Sequence, residues 1–519
     1  MRKKTSWLPA MCFIFLVPNL YAQNKLSIDK VYSVTLRNSG TIVESEQIKG
    51  YYFFYQSDKI DRKTNEYTLQ LVDENLNKLK EIKFTDSKNI ALLESSYNGS
   101  SIVFMFYDDD QNMLDYRLYG MDAKQSYTYS KILDKKSEKY FKQQAAMSGK
   151  EESENQNIFD IQGKGFLAIT SLREDKKYTY DINYYASGKK RTWTYNPIED
   201  GKYTSAQYLG ANDSIAVVEV LSKEKLMSKE TESTILGINL ENGKKVFEVR
   251  TQDGKNQLYP MNISRLNGNS AEFLSIGPYY AGNDRVVQDK SDGLGIWLMN
   301  NKGKIVKSKY VSWSKDLNKY LKVDQKGRVD GLGYVYFHKL MQTGDGKIFA
   351  IGEGYKKVAN GLGIALNVLS GSYSSGMTKL TITDMLMLEL SQNFDLEDAK
   401  IYEKNNNHFD LGTANDFSTP HTLALAAKAY GAFDYNFTQM GQSNASFVSS
   451  YTDYERSKDY KGLIFNSISY YDGKITTDKI NLKTKASSLR VLPAKPGSVL
   501  IIEYYKKEKK LDFLMEKLN

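Results

Sequence analysis

The sequence predicts an all-β protein, a β-propeller built from four-stranded antiparallel blades. Three observations predict this fold. An apolar run of about six residues recurs along the chain, an alternating strand follows each run after a polar loop, and a tight turn then leads to a more polar strand. The stretch Gly50–Phe84 contains one such unit, and the abundance of Tyr (39) and Phe (22) agrees with a strand-rich composition.

The apolar runs indicate the number of blades. A strand covered on both faces by neighbouring sheets reads as a continuous apolar run, whereas an outer strand that meets solvent alternates. Radially stacked four-stranded sheets produce this fall in burial from the second strand to the fourth. Eight runs predict eight blades, or seven if one unit is misassigned: Tyr51–Tyr55, Ile102–Tyr107, Gly165–Ile169, Ile215–Val220, Phe273–Ile276, Ile348–Ile351, Ala445–Val448 and Val499–Ile502.

The other strands of each unit lie around these runs. Preceding strands are predicted at Ile90–Glu94, Asn157–Gln162, Tyr334–Leu340 and Tyr435–Met440. Alternating strands after the runs are predicted at Tyr116–Met121, Thr234–Leu240, Ile296–Met299, Met385–Leu390 and Ile464–Tyr470. The hairpin turns that follow need a residue with positive φ, and glycine supplies it at Gly188, Gly243, Gly303 and Gly473.

The last unit lacks a fourth strand, because Val499–Tyr505 and Leu511–Met515 are followed only by a short tail. Near the N-terminus, Val31–Leu36 is a spare strand. We expect the N-terminal strand to complete the last blade, because that pairing closes the ring and removes both exposed sheet edges.

Three segments interrupt the repeat. They are predicted as insertions, at about 136–155, 355–380 and 406–432, in a single propeller domain that spans residues 23–519. The first is rich in Lys, Glu and Gln and is predicted to be a helix or a mobile loop. Within the third, Thr419–Tyr430 begins with a capping residue and Pro and continues rich in Ala and Leu, which predicts a short helix.

Residues 1–22 are predicted to be a secretory signal peptide. The basic residues Arg2–Lys4 precede the apolar run Leu8–Leu20, and Ala22 provides a small residue before the expected cleavage site. The sequence therefore predicts an exported protein, whether periplasmic, associated with the outer envelope or secreted. The single cysteine, Cys12, lies in this segment, so the mature chain is expected to contain neither disulfides nor thiolate sites.

The charge pattern argues against a nucleic-acid partner. The net charge is +9, and acidic residues are interspersed with basic ones, which is typical of a solvated mixed-charge surface. No apolar stretch after the signal is long enough to span a bilayer. The stretch Gly361–Leu366 resembles a dinucleotide-binding loop only superficially, since the third glycine is missing. No cofactor is predicted.

The loops between second and third strands are longer and more charged than the turns between third and fourth strands. In a propeller these two sets lie on opposite faces, and long loops on a rigid scaffold are where binding usually occurs. The richest is Pro278–Gly293, in which Tyr279, Tyr280 and Arg285 suit stacking on a sugar or peptide. We predict these three as ligand-binding residues, against the alternative of an ordinary long loop.

Asp108, Asp109 and Asp110 form a second candidate site, after the apolar run of the second unit. Paired carboxylates can perform acid and base chemistry across a glycosidic bond, and propeller hydrolases place them in such loops. The alternative is a solvated acidic turn. No matching carboxylates can be identified in the other loops, so these residues are predicted only to bind a ligand, and no catalytic residue is assigned.

The three histidines, His338, His408 and His421, all fall in the sixth unit or its connection to the seventh, near Asp410 and Asp416. No spacing such as His-Glu-x-x-His supports a metal site among them. The sequence therefore predicts no bound metal.

The segment 358–369 carries apolar residues at helical spacing, namely Val358, Leu362, Ala365 and Leu369. This face can pack over the propeller. The alternative is contact with a partner or a membrane surface.

As a whole, the mature chain resembles uncharacterised secreted Bacteroidota proteins of propeller type. The resemblance rests on the signal, the aromatic four-strand repeat and the segment Gly-Tyr-Lys-Lys-Val-Ala-Asn-Gly-Leu-Gly-Ile-Ala-Leu at 354–366. It implies a propeller and export, and it supplies no catalytic residues.

The sequence thus favours an exported, non-enzymatic binding or scaffold protein that engages an unknown protein or glycan through its loop-rich face. One alternative is a propeller hydrolase or lyase acting on polysaccharide, which a cluster of carboxylates around the central channel would favour. Another is a peripheral envelope component held by the segment 358–369.

Overall fold

The structure is a computed structural model. It describes these residues: 25–44, 47–147, 156–174, 177–197, 202–225, 228, 230–266, 269–282, 285–286, 290–370, 376–410, 416, 418–441 and 444–518. The predicted signal peptide, residues 1–22, lies outside this part of the chain.

The described chain forms eight antiparallel sheets, which are the eight blades that the repeat predicts. The strands of the first four blades follow in chain order. They are β2 (Ser33–Val34), β3 (Gly40–Glu44), β4 (Gln47–Lys59), β5 (Thr64–Asp73) and β6 (Lys78–Ser87); β7 (Ile90–Tyr97), β8 (Ser101–Asp108), β9 (Met113–Gly120) and β10 (Gln125–Ile132); β11 (Ile158–Ile161), β12 (Gly165–Glu174), β13 (Lys177–Ala186) and β14 (Thr192–Tyr195); and β15 (Tyr203–Ala211), β16 (Ile215–Lys223), β17 (Glu232–Asn239) and β18 (Lys245–Arg250).

The last four blades follow the same plan. Their strands are β19 (Gln252–Asp253), β20 (Asn256–Leu258), β21 (Asn262–Leu266), β22 (Asn269–Ala281), β23 (Gly293–Asn300) and β24 (Ile305–Ser312); β25 (Tyr334–Gln342), β26 (Ile348–Ala359), β27 (Thr378–Leu390), β28 (Leu396–Tyr402) and β29 (Asn407–Phe409); β30 (Tyr435–Met440), β31 (Ser446–Arg456), β32 (Lys461–Tyr471) and β33 (Lys474–Leu482); and β34 (Ser488–Pro493), β35 (Ser498–Tyr505), β36 (Lys510–Lys517) and β1 (Lys25–Asp29).

The N-terminal strand closes the ring, as predicted, but it is not the segment that the sequence suggested. The closing strand is β1, which pairs antiparallel with β36 from Lys25 opposite Leu514 to Asp29 opposite Lys510. The segment Val31–Leu36 instead begins the inner strand of the first blade, where Ser33 and Val34 pair with β4. The physical reason is burial. An outer strand meets solvent, which suits the polar β1, whereas Val31 and Leu36 are fully buried.

Burial explains why the apolar runs could be recognised. Every residue of β8 is buried, whereas exposed positions recur along the outer strand β6. Neighbouring blades pack through aromatic side chains, as where Phe54 of the first blade lies 5.0 Å from Phe104 of the second, centroid to centroid. At the closure of the ring, Phe53 lies 4.2 Å from Phe513. The protein thus has a series of apolar cores between blades rather than one central core.

Because strands alternate in direction, all connections from second to third strands and from each blade to the next lie at one end of the propeller. This end is called the loop-rich face, and the opposite end the plain face. Among the described residues, three α-helices stand on the loop-rich face: α1 (Lys135–Met147), α2 (Gly361–Ser370) and α3 (Pro420–Ala429). The predicted cap of α3 is present, since Thr419 accepts a hydrogen bond from the backbone N–H of Thr422 at 3.2 Å.

Several loops are shorter than the sequence suggested. Strands β4, β22 and β31 continue to Lys59, Ala281 and Arg456, because long hairpins extend the sheets beyond the apolar runs. The described residues include no helix that is both long and apolar enough to cross a membrane.

Candidate functional site

A channel runs through the centre of the ring. It has a volume of about 1150 Å³, and residues of all eight blades line it, most of them on inner strands, among them Thr41, Tyr97 and Val491. On the loop-rich face, Leu425 and Lys428 of α3 also line the channel. The volume matches that of a pocket for an organic ligand larger than a single sugar or amino acid.

Two arginines join consecutive blades at the channel wall. Arg490 of the eighth blade donates from Nη1 to the carbonyl of Leu36 at 2.8 Å, and Arg37 of the first blade donates from Nη2 to the carbonyl of Leu93 at 2.9 Å. Charged groups bind backbone carbonyls more strongly than neutral donors do. The two guanidinium groups therefore stabilise the order of three neighbouring blades and leave positive charge at the channel.

Glu94 forms a similar link, from the second blade to the third. Its carboxylate accepts hydrogen bonds from the backbone N–H groups of Asn157 at 2.7 Å and Ile158 at 3.1 Å, at the start of β11. Burial raises the pKa of Glu94 to about 7, against the opposing effect of these hydrogen bonds and of Arg37. Glu94 follows an irregularity in the pairing of β7 with β8, which re-aims its side chain.

Glu219 occupies the wall of the fourth blade, in the middle of an apolar strand. Ser233 Oγ donates to one carboxylate oxygen at 2.7 Å, and Gln207 Nε2 donates to the other, also at 2.7 Å. Gln207 also donates to the carbonyl of Pro260 in the fifth blade at 3.2 Å. The carboxyl group is almost completely buried, which raises its pKa to about 8.

A buried charged group joins the sixth blade to the seventh. Lys404 Nζ donates to Asp434 Oδ2 at 2.5 Å and lies 3.1 Å from Glu353 Oε1. Backbone N–H groups of Asp434 and Tyr435 also donate to Glu353, at 3.2 and 3.3 Å. Burial raises the pKa of Glu353 despite Lys404. Burial opposes the charge of Lys404, but the two carboxylates raise its pKa overall.

His338 lies between this group and the channel. Its Nε2 atom is 3.3 Å from Glu353 Oε2, and its ring stacks on Tyr435 at 4.7 Å between centroids. Burial, with Lys428 and Lys404 nearby, lowers the pKa of His338 well below its usual value. The imidazole is therefore neutral near pH 7. The other two histidines have different partners, since His408 Nδ1 lies 3.0 Å from Thr381 Oγ1 and His421 Nδ1 lies 2.9 Å from Tyr355 Oη.

Two further charged residues come from different parts of the ring. Asp160 lies on β11 of the third blade and Lys339 on β25 of the sixth, and a long-range electrostatic attraction acts between the two. Burial raises the pKa of Asp160 and lowers the pKa of Lys339, in each case against the attraction between them. The channel thus presents both signs of charge, together with aromatic rings such as Phe159 and Tyr336.

A small aromatic pocket of about 30 Å³ adjoins the channel beneath α3. Tyr280, Trp313 and Tyr336 are among the residues that line it. Tyr355 Oη and His421 Nδ1 form a hydrogen bond of 2.9 Å at its edge, and burial lowers the pKa of His421 to about 4. The pocket has room for about two water molecules, so it is too small for a sugar as it stands.

Of the predicted ligand-binding residues, Tyr279 and Tyr280 are in strand β22 and not in a loop. Alternation along the strand separates them. Tyr280 lines the small pocket, whereas Tyr279 packs against Tyr310 at 4.9 Å, centroid to centroid. Arg285 is half-buried, and Asn283 and Asp284 beside it lie outside the described residues. The three residues therefore do not form one surface patch, and their contact with a ligand stays a prediction.

Asp108 ends β8, Asp109 and Asp110 lie in the turn that follows, and protein groups bind each of the three. Asp108 Oδ1 accepts from the backbone N–H of Asp110 at 2.9 Å, which fixes the turn. Asp109 forms an ion pair of 2.8 Å with Lys142 of α1. Asp110 accepts from Asn89 Nδ2 at 2.9 Å. These contacts give each of the three aspartates a structural role, and a role in ligand binding stays a prediction.

Sequence reasoning missed the charged residues of the channel wall. Two of them carry a recognisable signal, because Glu219 interrupts the run Ile215–Val220 and Glu353 follows the run Ile348–Ile351 closely. A carboxylate in a strand that is otherwise apolar indicates a buried polar contact. Lys404 and Asp434 carry no such signal, because they lie in a polar connection and meet Glu353 only through the fold.

The carboxylates of the wall do not converge. Glu94, Glu219 and Glu353 belong to the second, fourth and sixth blades, and each is bound by groups of its own or the next blade. Within the described ranges there is no group of three or more His, Cys, Asp or Glu residues that could hold a metal ion. The arrangement suits binding and blade-to-blade stabilisation.

Comparison with solved structures finds propeller-containing proteins at very low identity. The chain is 7% identical to the WD40 domain of SCAP from fission yeast, with 95% of this chain and 94% of that chain covered and a TM-score of 0.37. It is 11% identical to the β-propeller domain of the Trilobed protease from Pyrococcus furiosus, with coverage of 76% and 99% and a TM-score of 0.31. For prolyl oligopeptidase B from Galerina marginata, the identity is 8%, the coverage 91% and 56%, and the TM-score 0.39.

A search of curated proteins finds no significant match to this sequence. A family match, by contrast, extends over the whole sequence, from residue 1 to residue 519. The chain belongs to DUF6770, a family of unknown function.

Proposed function

We propose that this protein is an exported, non-enzymatic binding protein that holds a glycan or peptide in its central channel, with the loop-rich face around one mouth. The observation that carries the proposal is the channel itself. Its volume of about 1150 Å³ suits a ligand of several residues, and its wall combines aromatic rings with charged and amide side chains. Export rests on the predicted signal peptide.

Helices α3 and α1 lie near the mouth of the channel on the loop-rich face, and their side chains support selective binding of a ligand. Helix α3 contributes Leu425 and Lys428 to the channel. On the other side, Gln144 of α1 lies 3.4 Å from Asn157, whose backbone binds Glu94.

The residues of the channel wall support ligand binding better than they support catalysis. A glycosidase needs two carboxylates about 5–10 Å apart with access to one bond. Glu94 and Glu219 lie two blades apart, and their oxygens accept hydrogen bonds from the protein. We therefore do not propose the polysaccharide hydrolase or lyase as a second function.

The experiment uses one substitution that narrows the channel and leaves the rest of the protein surface unchanged. Thr41 lies on β3 and lines the channel, whereas Thr85 lies on the outer strand β6 of the same blade and is exposed. The variants Thr41→Trp and Thr85→Trp therefore add the same bulk at opposite edges of one blade. Wild type and both variants are screened by thermal shift against neutral oligosaccharides, acidic oligosaccharides and short peptides, and hits are measured by calorimetry.

We expect at least one ligand class to raise the melting temperature of wild type and Thr85→Trp, and to lose most of its effect on Thr41→Trp. Equal binding by both variants would place the ligand outside the channel. A panel with no hit on wild type would overturn the proposal for glycans and peptides.

A further inference from the structure

Helix α2 is apolar and exposed. Its ten residues, Gly361–Ser370, contain no charged side chain. Leu366, Val368 and Leu369 are 54%, 76% and 84% exposed. The alternative that this segment packs over the propeller therefore fails for these side chains. A helix that is apolar around most of its circumference is normally buried, so α2 needs a partner surface.

The exposed apolar side chains concentrate on one face of the molecule. Among the described residues, 15 large apolar or aromatic side chains are exposed, and all but Leu79, Val246, Val306 and Tyr471 lie in connections or strand ends of the loop-rich face. Those on the loop-rich face come from the first, second, third, sixth and seventh blades and from the connections between them. They are Ile60, Ile132, Tyr140, Tyr178, Tyr320, Leu366, Val368, Leu369, Tyr430, Tyr454 and Leu463.

The same face carries exposed cations where the ring closes. The turn between β35 and β36 exposes Lys506, Lys507 and Lys509, against one acidic residue. The carbonyl of Lys509 accepts a hydrogen bond from the backbone N–H of Val31 at 2.8 Å, which places this turn beside the first blade. The next turn of the first blade exposes Lys59, Arg62 and Lys63 together with Asp58 and Asp61, so the two turns carry six cations against three anions. An arc with a net charge of +3 thus accompanies the apolar residues.

We propose that the loop-rich face docks onto an anionic lipid surface, with α2 inserted among the headgroups and acyl chains. This goes beyond the proposed function, because it concerns the surface around the channel mouth and not the channel ligand. Peripheral proteins bind bilayers through apolar helices that enter the interfacial region, with lysines that attract anionic headgroups. Tyrosines are enriched at the same depth, and five of the exposed residues of this face are tyrosines.

A bilayer fits the distribution better than a protein partner or a second copy of this chain. The exposed side chains are spread over five blades and their connections instead of forming one compact patch, and α2 stands at the end of the long hairpin of β26 and β27. A planar surface suits contacts that are spread over one end of a ring. A protein partner would need a groove for α2 and contacts on most blades, and most protein interfaces are smaller.

The experiment compares two sets of three exposed apolar residues. One variant is Leu366→Ser/Val368→Ser/Leu369→Ser on α2. The matched control is Leu79→Ser/Val246→Ser/Val306→Ser, on outer strands of the first, fourth and fifth blades, where these side chains are 60%, 42% and 52% exposed. Co-sedimentation is measured with phosphatidylcholine vesicles with and without phosphatidylglycerol, on the protein that begins at Gln23, with size-exclusion chromatography of each variant.

We expect wild type and the control to bind vesicles that contain phosphatidylglycerol, and the α2 variant to bind at least about tenfold more weakly, because three large side chains no longer enter the apolar layer. Salt should weaken the binding of wild type, since the lysines act through screened charges. Absence of vesicle binding by wild type, or equal binding by the α2 variant, would overturn the proposal. Dimerisation that only the α2 variant abolishes would also overturn it, in favour of a second copy.

The two proposals can fail separately. The α2 variant leaves the channel wall intact, so it should keep the thermal shift produced by a channel ligand. The Thr41→Trp variant leaves α2 intact and should keep vesicle binding. Loss of both activities in either variant would indicate misfolding, which the melting curve without ligand detects.

Discussion

The interfaces between blades and the wall of the channel bury different kinds of side chain. At an interface such as that of the first and second blades, Phe54, Phe104 and Ile102 pack with almost no solvent exposure. At the wall and directly behind it, Glu219 and Glu353 are buried as completely but bind polar and charged groups. Apolar burial stabilises the ring in proportion to area. The buried polar and charged groups stabilise the ring only while each of their hydrogen-bond and ion-pair partners is present.

This difference predicts which substitutions the protein tolerates. Removal of a methyl group at an interface costs only its burial and the cavity left behind, and the cost is independent of pH. Removal of one partner at the wall leaves an ionisable group buried without compensation, and its cost depends on the charge that remains. The comparison therefore predicts both the size and the pH dependence of each effect.

The largest effect is expected for Lys404→Met. The side chain of Lys404 is fully buried and lies between Glu353 and Asp434, so its loss leaves two neighbouring carboxylates without their cation. We expect a loss of about 3–5 kcal/mol in the free energy of unfolding near neutral pH, measured by urea denaturation. The loss should shrink as the pH falls, because the two carboxyl groups then bind protons and the penalty disappears.

The control for this variant is Lys461→Met, at an exposed position at the start of β32. It should change the free energy of unfolding by less than about 0.5 kcal/mol. If Lys404→Met is as mild as the control, or equally severe at all pH values, the charged group does not join the sixth and seventh blades as described.

An effect of similar size but opposite sign, confined to high pH, is expected for Glu219→Gln. Burial raises the pKa of Glu219 to about 8 from 4.5, so the folded protein holds a proton that the unfolded chain releases between these values. The contribution of this group to stability is fully present below pH 4.5 and is lost as the pH rises through about 8. Glutamine cannot ionise, and its amide can still pair with Ser233 and Gln207.

The Glu219→Gln variant should therefore be close to wild type at about pH 5 and exceed its free energy of unfolding at about pH 9 by on the order of 4 kcal/mol. The measurement is a series of urea denaturation curves across this range. The exposed Glu81→Gln provides the control and should follow wild type throughout. A variant that is less stable than wild type at high pH would show that the carboxylate form is the one that the wall favours.

The fold could be predicted from the sequence because the propeller repeats one pattern of burial. All eight apolar runs are second strands of blades, since a strand covered on both faces excludes polar residues whatever its partners. The prediction of Val31–Leu36 as the closing strand was wrong for a physical reason. Val31–Leu36 has the stronger strand pattern, but the outer position requires polar residues, and only β1 meets that requirement.

The candidate site could be predicted only in part. The loop-rich face follows from the lengths of the connections, and the cap and proline of α3 are local signals. The channel wall depends on contacts between distant segments, such as Arg490 with Leu36 and Glu353 with Lys404. No spacing along the chain encodes these contacts, although a carboxylate within an apolar strand is a signal that a polar group meets it.

The smallest effect is expected for Ile102→Val, which tests the apolar side of the comparison. Ile102 is fully buried in the core between the first and second blades. Loss of one methyl group should lower the free energy of unfolding by about 0.5–1.5 kcal/mol. Because no ionisable group changes its surroundings, the loss should be the same at about pH 5 and pH 9. A loss that varies with pH would mean that the interfaces and the wall are energetically coupled, and the two regions would then have to be treated as one.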